Sequence, residues 1–275
     1  DEVDEIEIRV LMDNNTYIDQ YYLGEPAVSY YIEADGCRIL FDTGYSQAFI
    51  TNAGQMGIPL EEITHLVFSH GHNDHTRGFY WLEKQADLKK VEIIAHPECF
   101  NPKLDDSGLE IGSPLREDKV KKAGRYRPSG MPYRISDKCI FLGEIPARND
   151  FEIRSSIGTQ KIRSKWERDY VMDDSALALK TEEGLFIVTG CSHSGICNIV
   201  EYAMEVCGER RIAGILGGFH LFETDSRLEK TVEYLAKLGI KSFYPCHCVS
   251  FRAKARMNET LPVEEVGVGL AISLK

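Results

Sequence analysis

Apolar and polar side chains alternate along the beginning of the chain with the period of two that a half-buried β-strand requires. Residues 6–12 (IEIRVLM) show this alternation, and residues 28–34 and 37–42 form two further β-rich runs. The residues ADG at 34–36 are typical of the tight turn of a hairpin. The beginning of the chain is therefore predicted to be mainly β-structure.

Beyond residue 45, short apolar strands alternate with segments of helical period. Gly57 and Gly239 follow two of these segments and are typical helix ends. This order favours an α/β fold in which two β-sheets pack together with helices outside. The predicted elements are helices over 46–56, 79–87, 195–207, 227–238 and 251–257, and strands over 65–70, 91–96, 138–146, 175–181, 185–190, 211–220, 242–247 and 266–274.

The middle of the chain interrupts this regularity. Apart from the strand at 138–146, residues 97–173 are rich in Pro, Gly, Lys and Arg and show little periodicity. We interpret this stretch as an irregular insertion that forms the wall of a pocket, and not as a separate domain. The prediction is a single α/β domain over residues 1–275.

The charge balance limits the expected partners. With 32 Lys and Arg against 43 Asp and Glu, the formal net charge is -11, so no general attraction for nucleic acid or anionic membranes is expected. No apolar run reaches the ~18 residues of a membrane span, and the acidic start DEVDEIEIRV lacks a signal-peptide pattern. The eight cysteines are scattered, which is typical of reduced thiols. We therefore expect a cytoplasmic protein.

The strongest chemical signal is the stretch HGHNDH, which contains His70, His72, Asp74 and His75. Three imidazoles and a carboxylate in six residues form a dense set of metal ligands, suited to Zn, Fe, Mn or Ni. His70 and His72 alternate along an extended segment, so their side chains point the same way. Asp74 and His75 come where the chain turns into a helix, so they can face a second metal.

The spacing His-x-His-x-Asp-His after a strand resembles the signature of the metallo-β-lactamase superfamily. The resemblance implies an αββα sandwich, and it implies that Asp42 in LFDTG orients the metal loop without binding metal. One branch of the superfamily, labelled 7,8-dihydropterin-6-methyl-4-(β-ribofuranosyl)aminobenzene-5'-phosphate synthase-like, resembles this chain in the stretches SHGHNDHTRG, GEIPARNDFE, TGCSHSGICNIV, GGFHLF and PCHC. The chain departs from that branch at Arg77, where the branch usually has Gly, and at Val249-Ser250.

Three later histidines each follow an apolar run and can reach a shared sheet edge: His193, His220 and His247. The superfamily closes its two metal sites with later histidines. His220 resembles a histidine that some superfamily nucleases use near the scissile phosphate, so it is an expected acid or substrate contact, with a metal role left open. The expected ligands are His70, His72 and His193 for the first metal, and Asp74, His75 and His247 for the second.

The residue that would bridge the two metals differs from the superfamily pattern. The superfamily usually joins its metals with a carboxylate, but this chain offers Cys191 after the strand at 185–190. A bridging water alone is one possibility, and an inward-pointing Asp173 or Asp174 is another, although both aspartates also suit a solvated turn. Cys191, Cys246 and Cys248 are expected to be small buried residues beside the ligands, in preference to a Cys-x-Cys zinc site.

The remaining polar positions carry weaker signals. Ser194-Gly195, at the start of the helix over 195–207, is a possible anion site. His65 and His96 are single histidines in strands and are expected to be structural.

These residues predict a metal-dependent hydrolase. Two divalent ions, most favourably zinc with iron or manganese as alternatives, would activate a water against a phosphorylated or phosphodiester small molecule, and the family branch suggests a pterin-related one. Asp74 and His220 are the expected catalytic residues. A di-iron redox or oxygen-binding protein of the same fold and a lactone hydrolase remain alternatives. Some of the insertion's basic residues could bind the phosphate, whereas for most of them a solvated charged loop is expected: Arg116, Lys119, Lys121, Lys122, Arg125, Arg127, Arg154, Arg163 and Lys165.

Overall fold

The computed structural model describes residues 5–275, which hold sixteen β-strands and seven α-helices. Residues 1–4, at the acidic start in which no signal peptide was predicted, lie outside the described residues. The strands are β1 (Ile6–Met12), β2 (Ser29–Ala34), β3 (Cys37–Phe41), β4 (His65–Val67), β5 (Glu92–Ala95), β6 (Lys103–Leu104), β7 (Arg125–Pro128), β8 (Tyr133–Arg134), β9 (Cys139–Phe141), β10 (Thr159–Ile162), β11 (Lys165–Arg168), β12 (Ala176–Thr181), β13 (Gly184–Thr189), β14 (Ile212–Gly217), β15 (Ser242–Pro245) and β16 (Ala271–Leu274). The α-helices are α1 (Ala48–Met56), α2 (Asn73–Thr76), α3 (Phe79–Gln85), α4 (Glu117–Ala123), α5 (Ile196–Cys207), α6 (Ser226–Ala236) and α7 (Phe251–Asn258).

Two large sheets form the framework. The first has seven strands in the order β16-β1-β2-β3-β4-β5-β7, and the second has six in the order β15-β14-β13-β12-β9-β8. In the first sheet, the pairs from β16 to β3 are antiparallel, whereas β3, β4, β5 and β7 run parallel. In the second sheet, β15, β14 and β13 run parallel, and the pairs from β13 to β8 are antiparallel. Each sheet therefore presents the carboxyl ends of several neighbouring strands at one edge.

The sheets pack face to face because alternate positions of their strands are apolar. One buried cluster joins the inward residues of both sheets, and both outer faces are covered by helices. Phe49 and Phe79 of the helices cover the first sheet, and Ile199 and Leu228 cover the second. The predicted αββα sandwich is therefore confirmed. The joining cluster includes Ile8, Tyr30, Ile32 and Phe41 from the first sheet and Phe141, Leu177, Phe186 and Val188 from the second.

Two predicted turns have the backbone that their residues favour. Asp35 and Gly36 both have positive φ, 50° and 72°, which is the conformation that a two-residue hairpin turn needs. Helix α1 ends at Gly57, whose φ of 72° is left-handed, as a glycine C-cap requires.

The stretch 97–173 is more ordered than predicted. It contains helix α4, and β7 extends the first sheet by pairing in parallel with β5. Strands β6, β10 and β11 form a separate three-stranded sheet. These elements were missed because they are two to seven residues long and mostly polar. Segments this short do not show the apolar period of a strand or of a helix.

Within residues 5–275, no helix is both long enough and apolar enough to cross a membrane.

Candidate metal centre

The predicted site residues follow strands that end at the same edge. Parallel strands place their carboxyl ends side by side, and such edges are where α/β folds bind ligands. Asp42 follows β3 and His70 follows β4 in the first sheet. Across the sandwich, Cys191 and His193 follow β13, His220 follows β14, and His247 follows β15.

Three histidines form the first group. The ring centroids of His70, His72 and His193 lie 4.7 to 5.0 Å apart, and His70 Nε2 lies 3.1 Å from His72 Nδ1. The Nε2 atoms of His72 and His193 are buried without a hydrogen-bond partner, which is uncommon for buried polar atoms. Burial, reinforced by the neighbouring imidazoles, holds the pKa of His70 and His193 well below the usual value. These rings are therefore neutral, as metal ligands must be.

Asp74, His75 and His247 form the second group. Asp74 Oδ2 lies 3.1 Å from His247 Nε2 and 3.5 Å from His75 Nε2. Burial works against protonation of His75, but the carboxylates of Asp74 and Asp42 outweigh it and raise the pKa of His75 to about 9. The carboxylates thus create a strong attraction for a cation here, which either a proton or a metal ion can satisfy.

Asp42 and Asn14 contact the Nδ1 atoms of His75 and His247 in this second group. Asp42 Oδ2 lies 2.6 Å from His75 Nδ1 and accepts from Ser69 Oγ, while its Oδ1 accepts from Ser69 N. Asn14 Oδ1 lies 2.7 Å from His247 Nδ1. If each Nδ1 carries the proton, each Nε2 presents its lone pair to the centre. Asp42 therefore lies behind His75, where an orienting residue would be.

Cys191 lies between the two groups, at the bridging position where the sequence offered it, although it was expected there only as a small buried residue beside the ligands. Its Sγ is 3.1 Å from His75 Nε2, and Cys191 belongs to two sets of ligand atoms that lie within 4.8 Å of one another. One set contains His70 and His193, and the other contains His75 and His247. Burial raises the pKa of the Cys191 thiol, so the metal-free thiol is neutral. The sequence signals were its place at the end of an apolar strand and the absence of the usual bridging carboxylate there.

The other two cysteines of interest do not form a Cys-x-Cys site. Cys246 Sγ lies 3.1 Å from Tyr30 Oη inside the sandwich. Cys248 Sγ accepts from His220 N and lies 3.6 Å from the Cys191 carbonyl oxygen. The two sulfurs therefore have different surroundings; Cys246 is buried as expected, whereas Cys248 is half-buried and lines the cavity.

Asp173 and Asp174 are fully buried, so the solvated-turn interpretation is wrong. Asp173 Oδ2 accepts from Gly71 N at 2.7 Å, and Oδ1 pairs with the buried Lys103. Asp174 Oδ2 accepts from Ser194 N. Both carboxylates point inward, but they hold the loops that carry the ligands.

The anion site expected at the start of α5 is already filled. The Glu152 carboxylate accepts from Cys197 N at 3.1 Å and Asn198 N at 2.7 Å. Together with Asp174, which accepts from Ser194 N, it occupies the amide groups that an external anion would need.

A cavity of about 550 Å³ opens above the two groups. Ile111 and Ile157 of the stretch 97–173 line it, so that stretch does form part of the wall. None of the nine basic residues lines the cavity, in agreement with the solvated-loop alternative, and a phosphate contact by any of them has no support from the cavity. Arg154 donates to backbone carbonyls, and Arg127 and Lys119 pair with nearby glutamates. The lining residues are Asn14, Pro26, Tyr45, His72, Asn73, Asp74, Ile111, Ile157, Cys191, His193, His220, Phe222, His247 and Cys248.

His220 lies at the cavity wall. Its ring centroid is 4.4 Å from that of His193 and 4.7 Å from that of Phe222. Burial, followed by the imidazole of His72, lowers the pKa of His220 to about 4. A neutral ring at neutral pH suits a substrate contact or a ligand better than a proton-donating imidazolium.

His65 and His96 lie outside the two groups. His65 Nε2 is 3.2 Å from Glu92 and His96 Nε2 is 3.0 Å from Glu144. Both bonds tie strands to their surroundings, in agreement with structural roles.

Comparisons with known proteins agree with this geometry. The family model described as the metallo-beta-lactamase superfamily matches residues 23–202. The chain is 33% identical to the 7,8-dihydropterin-6-methyl-4-(beta-D-ribofuranosyl)-aminobenzene-5'-phosphate synthase of Methanocaldococcus jannaschii, covering 92% of this chain and 90% of that protein. It is 32% identical to an uncharacterized protein of the same organism, covering 92% and 94%. The crystal structure of a metal-dependent hydrolase of the beta-lactamase superfamily aligns with a TM-score of 0.83 at 26% identity, covering 97% and 98%.

Proposed function

Because the chain belongs to the metallo-beta-lactamase superfamily, we propose that it is a metal-dependent hydrolase of an anionic small molecule. The superfamily binds divalent metal ions, and most members are metal-dependent hydrolases. One observation carries the proposal: ligand atoms from both sheets converge at the floor of one cavity. Such convergence, with unpaired buried imidazole nitrogens, fits a metal site better than a hydrogen-bonded core.

The residues fit two ions. The proposed first site consists of His70, His72 and His193, and the proposed second site of Asp74, His75 and His247. Imidazole and carboxylate donors favour zinc, with iron or manganese as alternatives. When bound, such ions supply Lewis acidity and a water of lowered pKa.

The protein's own residues would orient the ligand rings and the substrate, and they would exclude water. Asp42 and Asn14 would fix the protonated Nδ1 of His75 and His247, so that each Nε2 faces the cavity. Neutral His220 would hydrogen-bond an oxygen of the substrate from the wall. Phe222, packed edge-on against His220, would hold that ring and exclude water from one side.

The cavity wall supports a substrate with a flat, largely uncharged body. Apolar and aromatic side chains dominate it, among them Tyr45, Ile111, Ile157 and Phe222, and no Lys or Arg is among the described residues that line it. An anionic group would therefore be met by the metal-loaded floor. A phosphate ester of an aromatic, pterin-related compound satisfies both conditions. The name of the relative at 33% identity combines a pterin, an aminobenzene and a phosphate.

Metal analysis with a substrate panel tests the proposal. Hydrolysis of bis-p-nitrophenyl phosphate is expected, with loss on chelation, recovery with zinc and competition by inorganic phosphate. His70→Ala should abolish it, whereas His65→Ala, at the opposite end of β4, should not. Activity on lactones alone would favour the lactone hydrolase. Bound iron with oxygen or nitric oxide binding and no hydrolysis would favour the redox protein.

A further inference from the structure

We infer that Cys191 is a metal ligand shared by both sites, its thiolate joining the two ions across the sandwich. The inference rests on the proposed function, because it requires the two-metal centre. It adds a sulfur donor to a set that otherwise consists of imidazoles and a carboxylate.

The position of the sulfur is the first argument. Among the described residues, Cys191 alone belongs to both ligand sets, with ring nitrogens of His70 and His193 in one and of His75 and His247 in the other. The 3.1 Å between its Sγ and His75 Nε2 brings together two atoms that would bind the same ion.

The donor count is the second argument. With Cys191, the first site has three imidazoles and one sulfur. The second site has Asp74 Oδ2, two imidazole nitrogens and the same sulfur. Each site then has the four donors that zinc prefers, and a water can add as a fifth during reaction. The thiolate also adds a negative charge between two dications, which lowers their mutual repulsion.

The backbone around Cys191 is built to hold the sulfur there. A Cβ at Gly190 would lie 2.1 Å from Ser69 Oγ, so only glycine lets the end of β13 approach the metal loop this closely. Ser192 has a φ of 57°, and its Oγ donates to Gly218 O at 2.6 Å. This strained turn fixes Cys191 between the ends of β4 and β14, and such strain commonly accompanies function.

A sulfur donor narrows the class of metal. Thiolates select zinc, iron or cobalt over magnesium, calcium and manganese. The centre is therefore assigned to thiophilic divalent ions, and manganese is the least suited of the three metals considered above.

Cobalt substitution tests the inference without relying on turnover. The wild-type protein loaded with two equivalents of Co²⁺ should show a sulfur-to-cobalt charge-transfer band in the near ultraviolet. Cys191→Ser should lose the band and bind cobalt at least about tenfold more weakly, since even the loss of an outer partner costs that much. Cys248→Ser is the matched control: its sulfur belongs to neither ligand set, and the band should persist.

The outcomes separate the two proposals. If the wild-type protein binds no cobalt or zinc, the metal centre itself is wrong. If it binds two ions without the band, or if Cys191→Ser keeps the band, the metal centre stands and the thiolate ligand is wrong. Should Cys191→Ser fail to fold, X-ray absorption of the zinc-loaded wild type decides: a sulfur neighbour at about 2.3 Å supports the inference, and a shell of only nitrogen and oxygen overturns it.

Discussion

Replacing Lys103 by methionine tests how the metal loop is held. The Lys103 ammonium donates to Asp169 Oδ2 at 2.7 Å and to Asp173 Oδ1 at 3.0 Å, with all three side chains buried. The other oxygen of Asp173 accepts from Gly71 N. Gly71 lies between His70 and His72, the first two predicted ligands. Lys103→Met keeps most of the side chain's length and removes its charge, so both carboxylates lose their cation.

The expected loss of stability is large. Removing one partner of a buried ion pair costs about 3–5 kcal/mol, because the remaining charge stays buried without compensation. Two carboxylates remain here, so we expect the upper part of that range. For a chain of this size, the melting temperature should fall by on the order of 10 °C.

The loss should also depend on pH. Burial raises the pKa of Asp173, but the Lys103 ammonium outweighs burial and keeps the pKa below its usual value. In the wild type, this carboxylate stabilises the fold above its unfolded pKa of about 3.9, and the contribution is lost as pH falls through the lower folded pKa. In Lys103→Met burial dominates, and the folded pKa exceeds the unfolded one. The penalty should be greatest near pH 7 and shrink toward pH 5.

Urea unfolding at pH 7 and pH 5 measures this loss of stability, and chelator treatment removes the contribution of bound metal. Adding Asp169→Asn and Asp173→Asn to Lys103→Met removes all three charges and should recover most of the stability. Lys165→Met, on the exposed strand β11, is the matched control and should change stability by less than about 0.5 kcal/mol. A Lys103→Met protein as stable as this control at pH 7 would refute the reasoning.

Three further predictions concern the metal centre. Protein purified without added metal should contain about two equivalents of divalent metal by elemental analysis, and a content near zero that added zinc does not restore contradicts the centre. His72→Ala and Asp74→Ala should abolish turnover while circular dichroism stays native, because ligands at strand ends are not core; near-native rates in either variant would show that the ligands are misassigned. Gly71→Ala places a Cβ 1.9 Å from the Cys99 carbonyl oxygen, so it should displace the loop and weaken zinc binding at least about tenfold in chelator competition. Gly54→Ala, where a Cβ meets nothing within 4 Å, should leave zinc affinity unchanged, and equal affinities in the two variants would contradict the steric argument.

The sequence predicted those parts of the site that depend on local spacing. His70, His72, Asp74 and His75 lie within six residues, and a strand followed by a short helix is enough to group them. The later histidines were also anticipated, because each follows an apolar run and parallel strands end at one edge. Their grouping with the first motif followed from the resemblance to a known family.

Other features depend on contacts between distant segments, and spacing carries no trace of them. Cys191 meets His75 across 116 residues, only because the two sheets pack face to face. Glu152 fills the start of α5 from 45 residues away, which spacing could not show when Ser194-Gly195 was considered as a weak candidate for an anion site. Composition alone could not separate a phosphate contact from a solvated loop for the basic residues of 97–173, because it does not reveal that Arg127 and Lys119 face nearby glutamates.

The charge of the cavity implies an order of binding. Asp74 lines the cavity and burial leaves His193 neutral, while no lysine or arginine is among the described residues of the wall. Without metal, this surface repels an anion, and the overall charge of -11 adds to the repulsion. In the proposed centre, two bound dications would reverse the sign locally, because bound ions are the largest charges in such a site. The proposed anionic substrate would then gain its affinity from the metals, so substrate recognition and metal loading would be one property of this centre.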